Sequence, residues 1–113
     1  MKFAYFARPI INYGKWHDDA DIKLIKSIGF QVIEITDKKT QELYKDFGMD
    51  TFRPLVELAD ALFFRSFCDG AIGAGVAKEI LWAKLSKVPV FEVSGNTTLR
   101  NLSVRETRNR LIG

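Results

Sequence analysis

Three glycines close together, Gly70, Gly73 and Gly75, separate an apolar run from a helical one, and no other feature constrains this chain so much. The run before them, Ala61-Leu62-Phe63-Phe64 behind Asp60, is apolar on both faces and reads as a buried parallel strand. The run after them spaces Val76, Ile80 and Ala83 along one helical stripe. A strand that passes through a glycine bend into a helix can turn sharply and present backbone amides to a polar or anionic ligand.

Glu79 is the anomaly inside that helix. The residues three and four positions away are Gly75, Val76, Trp82 and Ala83, so no basic neighbour is placed to pair with it. It lies beside the apolar stripe and not opposite it. Burying part of a carboxylate is costly unless hydrogen bonds or a function compensate. Spacing alone leaves two readings open, an edge glutamate reaching water and a carboxylate turned into a cleft.

At 113 residues the chain supports one domain, 1–113, and folding at this length hides roughly two-thirds of the unfolded surface. The formal charge of +3 is mild and its basic residues are dispersed except near the C-terminus, which argues against a DNA or RNA groove. One cysteine, Cys68, excludes an internal disulfide and a cysteine-rich metal site. Met1 runs directly into an alternating strand and no apolar run is long enough to span a bilayer, so the expectation is a cytoplasmic protein without a membrane partner.

Along the chain, Lys2 to Ala7 reads as a strand stopped by Arg8-Pro9. The loop after it, Ile10 to His17, is rich in aromatics and lies at the C-terminal end of the first strand, where open parallel sheets bind ligands. Asp18 and Asp19 suit a helix start, Ile22, Leu24, Ile25 and Ile28 its inner face, and Gly29 its close. Phe30 to Ile35 follows as a strand, Thr36 to Lys39 as a turn, and Leu43, Tyr44 and Phe47 mark a helix ended by Gly48. Asp50 or Thr51 can cap a helix with Pro54 in its first turn. Val88 to Val93 reads as a fourth strand, Ser94 to Thr98 as a loop, and Ser103-Val104-Arg105-Glu106 as a capping box opening a last helix. Strands alternating with helices predict an α/β, flavodoxin-like (Rossmann-like) three-layer sandwich around a parallel sheet of four or five strands.

Three segments resemble one family. Tyr5-Phe6-Ala7-Arg8-Pro9-Ile10, Ala59-Asp60-Ala61 and Gly75-Val76-Ala77-Lys78-Glu79-Ile80-Leu81-Trp82-Ala83 are similar, in this order, to the nucleoside 2-deoxyribosyltransferases. They look closer still to the small 2'-deoxynucleoside 5'-monophosphate N-glycosidases, and the likeness runs from Lys2 to about Ser103.

The resemblance implies an enzyme that cleaves or transfers at an N-glycosidic bond, with Glu79 as nucleophile and Tyr5 holding the reacting carboxylate. Such a carboxylate stabilises positive charge on the sugar or bonds to it, and Gly73 and Gly75 would let the sugar approach. A departing base needs a proton, for which Asp69 is the nearest acid in the loop, although Asp69-Gly70 is also a common turn pair. Relatives hold a 5'-phosphate with the loop after strand one and with a Leu-Ser pair from a neighbouring subunit. Arg8, Asn12 and Gly14 answer to the loop, and Leu102-Ser103 to the pair, Ser103 being equally a helix cap. Trp16 or His17 would stack on a base or meet a second subunit. The implied partners are a small nucleoside or nucleotide and further copies of the chain as a dimer or higher homo-oligomer; no metal and no organic cofactor is implied.

The chain departs from this pattern at Phe52, where relatives carry an acid and Asp50 is only a near substitute, and at Arg65, where a small or apolar residue is expected. These departures leave open a different class of protein, one that binds or sequesters a nucleotide in the same pocket without turnover.

Overall fold

The computed structural model describes residues 2–9, 12–67, 71–94 and 98–101. Within them run β1 (Lys2–Ala7), α1 (Trp16–Ser27), β2 (Phe30–Val32), α2 (Lys38–Phe47), α3 (Arg53–Leu58), β3 (Ala61–Phe64), α4 (Ala74–Leu85), β4 (Val90–Ser94) and β5 (Thr98–Asn101). The sheet order is β2-β1-β3-β4-β5, with the first four strands parallel and β5 antiparallel to β4. This is the expected flavodoxin-like α/β fold, a four-stranded parallel sheet between helices.

Successive strand residues face opposite sides of a sheet, and β1 and β3 are apolar on both, so each side must be covered. Ala4, Phe6, Ala61, Phe63 and Val93 pack with Ile25 of α1 on one side. Tyr5, Ala7, Leu62, Phe64 and Val90 pack with Val56 of α3 and Val76, Ile80 and Ala83 of α4 on the other. The stripe read along α4 is therefore its sheet-facing stripe. Phe63 anchors the α1 side, its ring centroid 5.3 Å from that of Phe30 and 5.4 Å from that of Phe91.

After β1 the chain moves outward to β2, and after β3 it moves the other way to β4. The strand order thus reverses between β1 and β3, and the crevice beyond their C-terminal ends is where an open α/β sheet binds ligands.

Several boundaries differ from the sequence reading. α1 begins at Trp16 instead of at Asp18 or Asp19, because Asp18 is drawn to Arg8 while Lys15 starts the helix with no side-chain cap. α2 begins inside the expected turn, with the Asp37 side chain accepting from the Thr40 amide at 3.2 Å. A 3₁₀ turn, Gly48–Thr51, leads into α3, so neither Asp50 nor Thr51 caps that helix. β2 stops at Val32, although the Ile33 amide still reaches the Ala4 carbonyl at 2.9 Å, and β4 is shifted to Val90–Ser94. The fifth strand enters as a hairpin partner of β4, with Thr98 in the strand instead of the loop. The expected helix from Ser103 lies outside the described residues.

Candidate functional site

A cleft of about 310 Å³ opens at the switch point between β1 and β3. Glu79 reaches it from the second turn of α4, because a helical side chain leans back toward the N-terminus of its helix, which here lies at the strand ends. The residue is only 5 % exposed, which excludes the edge glutamate reaching water. The Tyr5 hydroxyl, delivered by β1, donates a hydrogen bond to Glu79 Oε2.

Burial dominates the electrostatics. It pushes the Glu79 carboxyl up to about 8, against the opposing pull of the Tyr5 hydrogen bond and of the Arg8 charge. Burial, and then the charge of Glu79, hold the Tyr5 phenol far above its ordinary range, so Tyr5 stays a donor. Tyr13, which also lines the cleft, is pushed up to about 12, again chiefly by burial.

The first turn of α4 forms the floor beside Glu79. Gly73 and Gly75 have ordinary negative φ, so freedom of conformation does not explain them here. Space matters at Gly73, where a Cβ would stand 3.3 Å from the Phe67 ring; a Cβ on Gly75 would make ordinary contact with the Met49 side chain at 3.5 Å and take room from the cleft. Among the described residues no side chain caps this helix, which leaves its first amides for a ligand or water.

The opposite wall is aromatic. Tyr13, Tyr44, Phe52 and Phe67 line it, and the Tyr44 and Phe52 ring centroids are 5.2 Å apart. Gln41 joins them with its amide anchored on the Ile35 carbonyl at 2.6 Å. Flat rings with a few polar groups suit a planar heterocycle attached to a polar body. The sequence reading placed Tyr13 in the aromatic loop after β1 and Tyr44 on the helix, but gave neither of them, nor Gln41, a part in the site, although Gln41 and Tyr44 sit three apart on one face of α2.

Arg8 stands between this cleft and a second one of about 330 Å³ on the α1 side. Its Nε and Nη2 donate to Asp18 Oδ1 and Oδ2 at 2.8 and 3.2 Å, and its Nη1 to the Phe6 carbonyl at 3.1 Å. The Phe6 and Tyr13 rings each lie 4.7 Å from the guanidinium carbon. The Nε–Nη2 edge of the fork expected to grip phosphate is therefore taken by Asp18.

Of the residues singled out in the sequence, Tyr5, Arg8, Gly73, Gly75 and Glu79 come together here. Gly14 does not reach this cleft: it lines the second one, its amide 3.3 Å from Asp18 Oδ2. Asn12 lines neither and closes a turn through its backbone, its amide on the Pro9 carbonyl at 2.9 Å. Trp16 is 79 % exposed at the start of α1, stacked edge-on with His17, and is outside both clefts. Asp69 and Ser103 lie outside the described residues.

The departures acquire physical reasons. Phe52 is a buried wall of the cleft, while Asp50 is exposed and does not line it. Arg65 pairs with the buried Asp21 of α1, so it ties β3 to that helix and leaves the cleft alone. Among the described residues no group of three His, Cys, Asp or Glu side chains is placed to hold a metal ion, and no helix is long and apolar enough to cross a membrane.

No family model, no curated protein and no solved structure matches this chain.

Proposed function

We propose that this protein cleaves or transfers at the N-glycosidic bond of a 2'-deoxynucleoside or its 5'-monophosphate, with Glu79 as the nucleophile. The observation that carries the reading is the buried Glu79 carboxyl, held by Tyr5 in a cleft at the sheet's switch point and faced by an aromatic wall.

A deoxyribose seated on the floor at Gly73 and Gly75 brings C1' to the Glu79 carboxylate. As the bond from C1' to the base nitrogen breaks, its electron pair leaves with the base and positive charge grows on the sugar. An isolated buried carboxylate is costly, and it regains that cost when a cation forms against it. One Glu79 oxygen then bonds to C1', while the base nitrogen takes a proton from water or from an acid such as Asp69. Water, or the nitrogen of a second base, next bonds to C1'; the ester to Glu79 breaks with its electron pair returning to the carboxylate, and the incoming group loses a proton. Tyr5 steadies the carboxylate at both ends of this cycle.

A second reading keeps the pocket and drops the turnover. It is favoured by one observation: Glu79 is the only acid among the described residues lining the cleft. Incubation with the four deoxynucleosides and their monophosphates, with and without a competing free base, separates the two readings by chromatography. Free base, or an exchanged nucleoside, supports the enzyme; heat of binding with no base released supports the sequestering protein.

Cytoplasmic placement and self-association belong to the same proposal. Leu58, Leu81 and Leu85 are exposed along α3 and α4 and offer apolar surface for a second copy, which sedimentation would detect.

A further inference from the structure

Resting on that reading, we infer that Asp18 sets the substrate class: by occupying Arg8 it makes the cleft a site for the unphosphorylated deoxynucleoside in preference to the 5'-monophosphate. Arg8 is the only cation among the described residues that line the cleft. A guanidinium recognises phosphate with two parallel N–H groups; here the Nε–Nη2 edge already faces both carboxylate oxygens of Asp18, and Nη1, which shares the other edge, already donates to the Phe6 carbonyl. Both side chains are buried, 4 % and 3 % exposed, so the pair is shielded from water and little screened by salt.

The partners of Asp18 hold it there. Its Oδ2 also accepts the Gly14 amide at 3.3 Å, and Arg8 is packed between the Phe6 and Tyr13 rings. Turning the fork toward a ligand would break these contacts and leave a buried carboxylate without its cation. What Arg8 still offers is one N–H group on each of Nη1 and Nη2, on a guanidinium whose charge Asp18 already balances.

Formal charge points the same way. Asp18, behind the wall, cancels Arg8, so once Glu79 is ionised the three groups together leave one net negative charge at the cleft. The amides opening α4 contribute about half a positive charge, less than the full charge of Glu79 in the same cleft. A phosphate dianion is repelled in this field, whereas a neutral deoxynucleoside is not. Gly73, the residue before the first turn of α4, has no hydroxyl with which to hold an anion.

The test has two arms. Base release from the four deoxynucleosides and their 5'-monophosphates measures kcat/KM for each, and the expected ratio favours the nucleoside by at least about tenfold. Calorimetry on Glu79→Gln with the same ligands reads binding without turnover, and there the monophosphate is expected to bind no more tightly than the nucleoside. In Asp18→Asn, which frees the fork, the monophosphate should gain relative to the nucleoside in both measurements; where that variant does not fold, the two arms on folded protein still decide. A monophosphate preferred tenfold in either arm overturns the role of Asp18 while base release still upholds the glycosidase. No base from any compound, and no binding to Glu79→Gln, overturns both.

Discussion

The Tyr5 hydroxyl donates a hydrogen bond to the Glu79 carboxylate although 74 residues separate them in the chain. β1 and α4 bring the two together at the point where the sheet changes direction, and neither partner has an alternative close in sequence. The bond favours the charged form of Glu79 and opposes the burial that pushes the carboxyl up to about 8. Tyr5→Phe should therefore raise the Glu79 pKa further, by roughly one to two units on the ordinary strength of a hydrogen bond to a charged group. The ascending limb of kcat/KM against pH should move to higher pH by that amount, with activity recovered at its alkaline end. A uniform loss at every pH would mean that Tyr5 serves only the packing.

The same burial links Glu79 to stability. The folded protein keeps the Glu79 proton up to about pH 8, while an unfolded chain releases it near 4.5. The folded state therefore binds the extra proton between these values, and stability contributed by neutral Glu79 is lost as pH rises through that window. Glu79→Gln has no proton to lose, so its advantage over the parent should grow between about pH 5 and about pH 8.5, by an amount on the order of a few kcal/mol. Denaturant midpoints of the two proteins at both pH values check it, and parallel pH dependences would contradict it.

Gly75 lies in the first turn of α4, with a negative φ that alanine also adopts. Gly75→Ala should stabilise the helix by up to about 1 kcal/mol, since alanine is the better helix former. Its methyl group would stand 3.5 Å from the Met49 side chain and narrow the cleft. A higher melting temperature together with a raised KM is the expected pair of results; an unchanged KM would place the substrate away from this turn.

Arg65 supplies a control on the far side of the sheet. Its guanidinium binds both carboxylate oxygens of Asp21, whose side chain is 6 % exposed. Arg65→Ala strands that buried charge and should cost about 2–3 kcal/mol, less than a fully buried pair because Arg65 is partly open to solvent. Chemical denaturation measures the loss, and base release by the folded fraction should be unchanged.

These outcomes show what was legible in the chain and what was not. Ala61 to Phe64 announced a buried strand because apolar side chains on both faces have no other placement, and the strand has those bounds. Glu79 stood out because helix neighbours are fixed by spacing, so a missing local partner is visible in the sequence. The partner it does have, Tyr5, was suggested by resemblance and not by spacing. The start of α1 and the occupation of Arg8 were hidden for one reason: both depend on the Arg8–Asp18 pair, a contact between a strand end and a helix. The aromatic wall was hidden likewise, since Tyr13 in the loop before α1, Tyr44 in α2 and Phe52 just before α3 meet only in the fold. The hairpin of β4 and β5 runs through Thr98, a residue whose Ser-Gly-Asn-Thr-Thr context reads equally as loop.

The measurement that bears most directly on the account is base release by Glu79→Ala beside the parent protein, over the four deoxynucleosides and their monophosphates, with circular dichroism confirming an equal fold. The account predicts free base from the parent and none above background from the variant. A variant that turns over substrate at the parent's rate would contradict it.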